Sequence, residues 1–347
     1  MYEKDGEKYF VVDEHIHFWD ASPENTTNEY GEGFIKCFYD YHANLSPEEY
    51  KWPLEKYRNY SEEDLIHDMF EVGHVDTAIF QSTYLTDFYD TGFNPIERNF
   101  PLVEKYPGKF LANFGFDPRN EKQGLEWLER DYEKYGSKGV KLYTAEWKGE
   151  SKGYQLDDPW SLKYLEKAQE LGIKNIHVHK GPTIWPLNRD AFDVADVDRT
   201  ASLFPDLNFV VEHVGLPRLE DFCWIATQEP NVYGGLAVAM PFIHAKPRYF
   251  AQIIGELLYW IGEDRILFAS DYALWQPKWL VEKFVDFQYP EDAQFDDYAE
   301  ITPDIKRKIL GLNAAKLYDI EVPAEMQPAT AGSATGQIAA DPVDPAR

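Results

Sequence analysis

The feature that most constrains the fold is an alternation of short β-rich runs with helix-patterned segments along the 347 residues. Repeated βα units build a parallel sheet, because parallel strands need a long crossover that is usually a helix. The alternation predicts an α/β protein, a closed (β/α)8 or TIM barrel. Its eight predicted strands are Phe10–Asp13, Thr77–Gln81, Phe110–Phe114, Gly139–Tyr143, Asn175–His179, Asn208–Glu212, Val232–Ala237 and Ile266–Ser270.

Residues with known end preferences mark several of the helices between these strands. Ser61 precedes three acidic residues and predicts an N-cap, where the helix dipole favours negative charge. Asp158-Pro159 begins a helix that Gly172 ends. Thr302-Pro303 begins the last helix in the same way.

Two stretches fall outside this βα rhythm. Residues 20–60 form an insertion after the first strand that is rich in Tyr, Phe and Trp. On the catalytic face of a barrel, it predicts a lid or an oligomer contact. Residues 323–347 contain little that could be buried, so we expect a disordered tail after a barrel domain that spans residues 1–322.

The overall charge bears on the partners. A formal net charge of −27 repels phosphate backbones and anionic lipids, so we expect no nucleic acid and no membrane partner. Cys37 and Cys223 are the only cysteines, and the first ten residues are too charged for a signal peptide. We therefore expect a cytoplasmic homo-oligomer, a dimer or tetramer, that acts on a small molecule.

Metal-type ligands follow four of the predicted strands. His15 and His17 lie just beyond the first strand, with side chains on one face. Strands five, six and eight lead into His179, His213 and Asp271. Barrel enzymes place their active sites at the carboxyl ends of the strands, so these side chains predict a metal centre there.

The same motifs resemble the amidohydrolase superfamily, in particular its amidohydrolase-related group of non-oxidative decarboxylases and lactone hydrolases. The resemblance runs from Val11 to Ile320 and includes Val-Asp-Glu-His-Ile-His, Val-Glu-His-Val-Gly-Leu-Pro and Phe-Ala-Ser-Asp-Tyr. It implies that one divalent ion is held by His15, His17, His179 and Asp271, with His213 as an acid, base or electrophile. Zinc is the favoured ion, and manganese and iron are alternatives.

Lys141 ends the fourth predicted strand, where two-metal members of the superfamily use a carboxylated lysine. We favour one ion, with Lys141 as a positive charge. Together with Lys180 and Arg218, it would hold an anionic substrate group despite the acidic background. Other candidates for the substrate pocket are Trp19, Trp185, Trp275 and His244. We expect His177 to lie one layer deeper, and His42, His67 and His74 to be structural or at the surface.

Three functions follow from the resemblance. The preferred one is hydrolysis of a small cyclic ester or amide, in which Asp271 takes a proton from a metal-activated water and His213 stabilises the oxyanion. Phe18-Trp19-Asp20 and Leu216-Pro217 favour this branch, whereas His179 does not. The first alternative is decarboxylation of a hydroxylated aromatic or unsaturated acid. The second is a non-catalytic accessory or assembly protein for a di-iron monooxygenase.

Overall fold

A computed structural model describes residues 1–295 and 297–327. A short hairpin, β1 (Tyr2–Lys4) and β2 (Glu7–Tyr9), precedes eight strands that pair in parallel in chain order. The ring is completed where His17 N donates to Tyr272 O at 2.7 Å and Glu14 N donates to Phe268 O at 3.1 Å. This arrangement confirms the predicted TIM barrel. Its strands are β3 (Val12–Ile16), β4 (Thr77–Gln81), β5 (Phe110–Gly115), β6 (Gly139–Leu142), β7 (Asn175–His179), β8 (Asn208–Glu212), β9 (Val232–Gly235) and β10 (Ile266–Leu267).

The first and last barrel strands differ most from the sequence-based boundaries. β3 begins at Val12 rather than Phe10, and just before it Val11 N donates to a carboxylate oxygen of Asp76 at 2.9 Å instead of to a neighbouring strand. β10 ends at Leu267 rather than Ser270. Beyond it, Phe268 N donates to Ile309 O at 2.9 Å and Ser270 N donates to a carboxylate oxygen of Asp13 at 2.9 Å. A backbone bond to the helical segment between α12 and α13, and a bond to the Asp13 side chain, thus replace the strand pairing expected there.

Helices cover the outside of the barrel and part of its mouth. They are α1 (Glu29–Leu45), α2 (Leu54–Arg58), α3 (Glu62–Ile66), α4 (Ile96–Lys105), α5 (Glu121–Tyr135), α6 (Pro159–Leu171), α7 (Ala195–Leu203), α8 (Leu219–Gln228), α9 (Phe242–Ala245), α10 (Pro247–Ile261), α11 (Pro277–Asp286), α12 (Pro303–Arg307) and α13 (Asn313–Tyr318). The predicted starts at Ser61, Asp158 and Thr302 are the N-caps of α3, α6 and α12. Among the helices of the described ranges, none is long and apolar enough to cross a membrane.

The aromatic insertion packs across the barrel mouth. Its helix α1 turns Phe34, Phe38 and Tyr41 towards the cavity at the strand ends. The Tyr41 hydroxyl donates to the carbonyl of Thr183, in the loop after β7, at 3.0 Å. These contacts make the insertion part of the cavity roof.

His42 fixes the insertion to the loop after β10. Its Nδ1–H donates to Leu274 O at 2.6 Å, and its Nε2 accepts from Trp52 N at 2.8 Å. Both bonds are buried, so losing them would leave backbone groups without partners. His42 is therefore structural, whereas His67 is exposed and His74 is partly exposed, each paired with a glutamate.

The start of the predicted disordered tail has local structure. Ala324–Met326 form one 3-10 turn, and Met326 packs against a small apolar cluster at the bottom of the barrel. Residues 328–347 lie outside the described residues.

We expect His42→Ala to destabilise the fold by about 2–3 kcal/mol, because it removes two buried hydrogen bonds. His67→Ala is the matched control at an exposed position and should change stability by less than about 0.5 kcal/mol. Urea unfolding of both variants measures the difference. Equal stabilities would show that His42 does not hold the insertion in place.

Candidate metal centre and active site

Three side chains converge at the carboxyl ends of the first and last barrel strands. Nε2 of His15 lies 3.2 Å from Nε2 of His17, and Nε2 of His17 lies 3.2 Å from Oδ1 of Asp271. The remaining pair, His15 and Asp271, is 3.8 Å apart. Ligands about 2.1 Å from a common tetrahedral ion lie ~3.4 Å apart. The spacing and the donor types therefore fit one divalent ion.

Hydrogen bonds on the far side of the His17 ring leave Nε2 free to act as a ligand. His17 Nδ1–H donates to Gln81 O at 3.0 Å, which places the lone pair on Nε2. Such a bond fixes the ring orientation and the tautomer of a metal-binding histidine. Nδ1 of His15 lies 2.8 Å from Oε2 of Glu212, although the pair is not aligned as a hydrogen bond.

His179 and His213 form a second part of the site through a relay of ring nitrogens. Nδ1 of His213 faces Ala237 O at 3.1 Å, and its Nε2 faces Nδ1 of His179 at 3.0 Å. If each Nδ1 donates, the lone pair of His179 is on Nε2. That buried atom has no hydrogen-bond partner within the described ranges. His179 is not among the three residues whose ligand atoms lie within 4.8 Å of one another, but it lines the same cavity, and its unpaired buried nitrogen is available as a fourth ligand.

Burial and neighbouring charges give the site neutral imidazoles around one carboxylate. Burial lowers the pKa of His15 to about 3 and lowers the pKa of His179 and of His213 as well. Burial alone would raise the pKa of Asp271, but His15, His17 and His213 outweigh it and hold the value at about 2. Neutral histidines and an ionised aspartate are the protonation states that bind a divalent metal.

The backbone at two site residues adopts the left-handed region. His213, with φ 64°, directly follows β8, and Asp271, with φ 58°, lies four residues beyond the end of β10. Non-glycine residues seldom adopt such angles, and they cluster where a side chain must be aimed. The turns direct both side chains into the barrel mouth.

A buried layer of charge lies directly beneath the ligands. Glu212 lies 2.8 Å from Nδ1 of His15, 2.8 Å from Nδ1 of His177 and 3.6 Å from Nζ of Lys141. Nε2 of His177 faces the Tyr318 hydroxyl at 2.6 Å, which places His177 one layer below the cavity, as predicted. Glu14 also points inward, because the pairing of β3 shifts register between Asp13 and Ile16.

This layer bears on the number of ions. A carboxylated Lys141 would add an anion beside Glu212 and Glu14, whose carboxylates are both fully buried. A protonated Lys141 instead compensates the charge of Glu212, whereas burial raises the pKa of Glu14 to about 8 and leaves its carboxyl largely protonated at neutral pH. Buried charges persist only when they are paired. The surroundings of Lys141 therefore favour the cationic lysine of a single-ion site.

Above the candidate ligands lies a cavity with about 490 Å³ of space between atoms, part of it open to solvent, which we call the metal cavity. Ten of its seventeen lining residues are aromatic or aliphatic, whereas the polar ones cluster at its floor. The lining residues are His15, His17, Phe34, Phe38, Tyr41, Thr83, Phe93, Lys141, Tyr143, His179, Pro182, Ile184, His213, Val238, Asp271, Leu274 and Trp275. Such a lining suits a small, largely apolar ligand.

The structure brings seven predicted site residues together at this cavity and places five elsewhere. Those at the cavity are His15, His17, Lys141, His179, His213, Asp271 and Trp275. Lys180 is buried, but its Nζ donates to Asp196 at 2.8 Å. Arg218 is half-exposed and paired with Asp193 and Asp221. The expected cluster of three cations is therefore reduced to Lys141.

The other three predicted contacts also lie away from the metal cavity. Trp19 is packed among aromatic rings, stacked on Phe93 at 5.3 Å between centroids, with its Nε1 donating to Tyr57 O. Trp185 is half-exposed and covers Gly33 on the outer side of α1. His244 is exposed and lines a surface groove beside Trp279. Aromatic composition alone could not separate packing residues from cavity residues.

Sequence reasoning missed Tyr143 and Glu212. Tyr143 follows β6 and packs its ring against His179, with centroids 4.6 Å apart. Glu212 is an acid at the end of an otherwise apolar strand, and that pattern was the available signal. Strand alternation points Glu212 away from His213, but the left-handed turn at His213 lets both face inward.

We expect His15→Ala and Asp271→Ala to lose the bound ion while the protein remains folded, because each removes one close ligand. His244→Ala, outside the cavity, is the control and should keep the ion. Elemental analysis with circular dichroism checks both properties. Full metal occupancy in the two ligand variants would contradict the assignment.

Glu212→Gln should destabilise the fold by about 3–5 kcal/mol, because it leaves the buried Lys141 charge without its nearest anion. Glu104→Gln, at an exposed position of α4, should change little. Thermal unfolding measures the difference. A Glu212→Gln protein as stable as the control would show that Lys141 is uncharged in the folded state.

Comparisons with known proteins agree with this geometry. A sequence profile described as "Amidohydrolase" matches residues 12–320. A search of curated protein sequences found no significant match. Among solved structures, an uncharacterised TIM-barrel protein from Bordetella bronchiseptica superposes with a TM-score of 0.68 at 18% identity, covering 88% of this chain and 97% of that one.

Two decarboxylases are also similar in fold. 2,6-Dihydroxybenzoate decarboxylase from Rhizobium has a TM-score of 0.57 at 16% identity and covers 90% of this chain and 99% of its own. A dihydroxybenzoic acid decarboxylase from Polaromonas sp. JS666, with bound manganese and 2-nitroresorcinol, has a TM-score of 0.57 at 17% identity. It covers 92% of this chain and 99% of its own. At these identities the likeness shows the fold, and the profile shows the family. The chain belongs to the amidohydrolase family and is a metal-dependent enzyme.

Proposed function

We propose that this protein is a metal-dependent, non-oxidative decarboxylase of a small hydroxylated aromatic acid. The observation that carries the proposal is the contrast within the metal cavity, where an apolar, ring-lined wall surrounds a charged floor. The rings of Phe34, Phe38 and Phe93 suit an aromatic substrate. The floor of ligands and Lys141 suits its carboxylate.

An apolar wall favours decarboxylation over hydrolysis for an electrostatic reason. Decarboxylation converts a carboxylate into neutral CO2, and the negative charge left on the ring carbon is neutralised when that carbon takes a proton. Hydrolysis of an ester creates a carboxylate and needs water within the same space. A water-poor environment disfavours localised charge, so it opposes the hydrolytic product.

The residues have separate tasks in this scheme. His15, His17, His179 and Asp271 would hold a divalent ion, which when bound supplies positive charge to a substrate carboxylate and its neighbouring hydroxyl oxygen. Lys141 adds a second positive charge at the floor.

The bond between the ring and the carboxylate breaks, and its electron pair stays on the ring carbon. That carbon takes a proton from His213 or Asp271, which face each other at 3.9 Å. The donor must first take this proton from a water molecule, which returns hydroxide to the solvent, because near neutral pH the carboxyl of Asp271 is ionised and burial lowers the pKa of the His213 imidazole in the ion-free site.

The named relatives support the same choice. Several similar structures are decarboxylases of hydroxylated benzoic acids, and those from Polaromonas and Novosphingobium aromaticivorans contain manganese. We therefore propose a single manganese ion rather than the zinc favoured from sequence.

Hydrolysis of a cyclic ester remains the second candidate, because Leu216 and Pro217 follow His213 where several aromatic-acid decarboxylases have a glutamate. An accessory protein without turnover is the third. All three are separated by one assay, in which the manganese-loaded protein is incubated with hydroxybenzoates and with lactones, and CO2 and acid are followed separately.

We expect CO2 and the decarboxylated phenol in equal amounts from a hydroxybenzoate. Asp271→Asn should abolish their release, and His244→Gln should not. Lactone cleavage without CO2 would establish the hydrolase instead. No turnover of either class, with the ion bound, would favour the accessory role.

Lys141→Met should lower kcat/KM by about a hundredfold, because it removes the positive charge at the cavity floor that does not come from the ion. The metal content should stay near one ion per chain. Lys138→Met, at a surface ion pair, is the control. A wild-type content near two, falling to one in Lys141→Met, would instead show a lysine-bridged pair.

A further inference from the structure

A second cavity lies beside the metal cavity, at the carboxyl ends of β4, β5 and β6. We call it the side cavity; it encloses about 1150 Å³ of space between atoms, part of it open to solvent. Its walls come from the loops after these strands and from the first turns of α5. Lys141 and Tyr143 line both cavities. A substituent that leaves the metal cavity on this side therefore meets the side cavity next.

Tyr143 forms the main divider between the two cavities. Its ring packs against His179 on one side, with centroids 4.6 Å apart, and against Phe192 at 5.5 Å. The side chain is only 7% exposed, and its hydroxyl has no hydrogen-bond partner in the described part of the chain. Burying a hydroxyl in this way is unfavourable unless something else pairs with it.

Further unpaired polar groups lie in the walls of the side cavity. The hydroxyl of Ser82 and Nε1 of Trp147 are buried, and neither has a partner among residues 1–295 and 297–327. Native proteins leave few buried donors unpaired, and such groups concentrate where a ligand or water completes them. Their grouping around one cavity indicates a ligand that carries hydrogen-bonding groups.

The charges of the side cavity argue against an ionic ligand. Arg119 makes two bonds to Asp117, at 2.8 and 2.9 Å, and Arg130 pairs with Asp131 at 2.7 Å. Lys148 contacts Asn120. Nζ of Lys148 also lies 3.8 Å from a carboxylate oxygen of Asp117, so these three cations near the cavity are already paired with acids. Burial raises the pKa of Glu146 to about 7, so near neutrality this carboxyl is partly protonated and both donates and accepts.

The apolar walls of the side cavity are largely aromatic. Phe116, Trp127, Trp147 and Tyr154 all line it. Aromatic walls favour a ring through offset or edge-to-face packing, and the unpaired hydroxyl and indole groups favour a ring that carries hydroxyls.

We propose that the side cavity binds the distal hydroxylated ring of a two-ring acid, while the ring that carries the carboxylate lies in the metal cavity. This inference rests on the proposed function for the position of the carboxylate. It adds the class of substrate, an aryl-substituted hydroxybenzoate rather than a single ring.

The test compares a one-ring ligand with a set of two-ring ligands, all bound to the full chain loaded with manganese. The one-ring ligand is 2-hydroxybenzoate. The two-ring ligands are 2-hydroxybenzoates that carry a 4-hydroxyphenyl group at different ring positions. We expect the best two-ring ligand to bind about tenfold more tightly than the single ring in isothermal titration calorimetry.

Thr86 lies at the exposed rim of the side cavity and is separate from the metal ligands. Thr86→Trp should narrow the side cavity and lower affinity for the two-ring ligand about tenfold, while affinity for 2-hydroxybenzoate stays within about twofold. Thr86→Val keeps the size of the side chain and should leave both affinities unchanged.

Trp147→Phe removes the indole N–H and keeps a ring. It should weaken the 4-hydroxyphenyl ligand several-fold but leave its unhydroxylated phenyl analogue unaffected. If the effect is equal for both analogues, Trp147 acts only in packing and the hydroxylated-ring assignment is wrong.

Equal wild-type affinities for one and two rings would overturn the inference, and so would binding of neither ligand. A Thr86→Trp variant that loses both ligands equally would also overturn it. If the protein binds the two-ring ligand more tightly but releases no CO2 from either ligand, the proposed decarboxylase activity is wrong and the side-cavity inference stands. If the protein releases CO2 from 2-hydroxybenzoate but binds one-ring and two-ring ligands equally well, the side-cavity inference is wrong and the decarboxylase proposal stands.

Discussion

The site depends on the buried carboxylate of Glu212. This one group lies within 3 Å of His15 and His177 and 3.6 Å from Lys141, so it connects a ligand histidine, the deeper histidine and the cation at the cavity floor. A carboxylate inside a barrel is unfavourable unless positive or donor groups surround it. The positions of these partners are therefore coupled, and the candidate metal ligands rest on a charged floor rather than on an apolar layer.

Because of this charged floor, the metal cavity has one charged side and one apolar side. Ligands and charge lie at the strand ends, whereas the roof is built largely from aromatic side chains such as Phe34 and Phe38. The polar part of a substrate and its ring would therefore experience different surroundings within a few ångströms. The separation of these surroundings, rather than any single residue, supports decarboxylation over addition of water.

The sequence predicts the barrel and the four candidate ligands because both follow from short-range pattern. Strand and helix periodicity places His15, His17, His179, His213 and Asp271 at one face with no knowledge of contacts, and the family resemblance implies which four of them are ligands. It cannot show that Lys180 and Arg218 are neutralised by Asp196 and by Asp193, because these pairings join residues that only the folded chain brings together. The alternation of side chains along a strand also does not predict that Glu14 and Glu212 face inward. The orientation of Glu14 depends on a register shift in β3, and that of Glu212 depends on the left-handed turn at His213.

The contact between Trp185 and Gly33 has a consequence for sequence variation. The Trp185 ring occupies the space that a side chain at position 33 would need, so α1 and the loop after β7 meet there only because residue 33 is a glycine. The two positions compete for one volume. Among relatives that keep this roof, a larger residue at 33 should therefore occur with a smaller one at 185, and the pair should co-vary although 152 positions separate them in the chain.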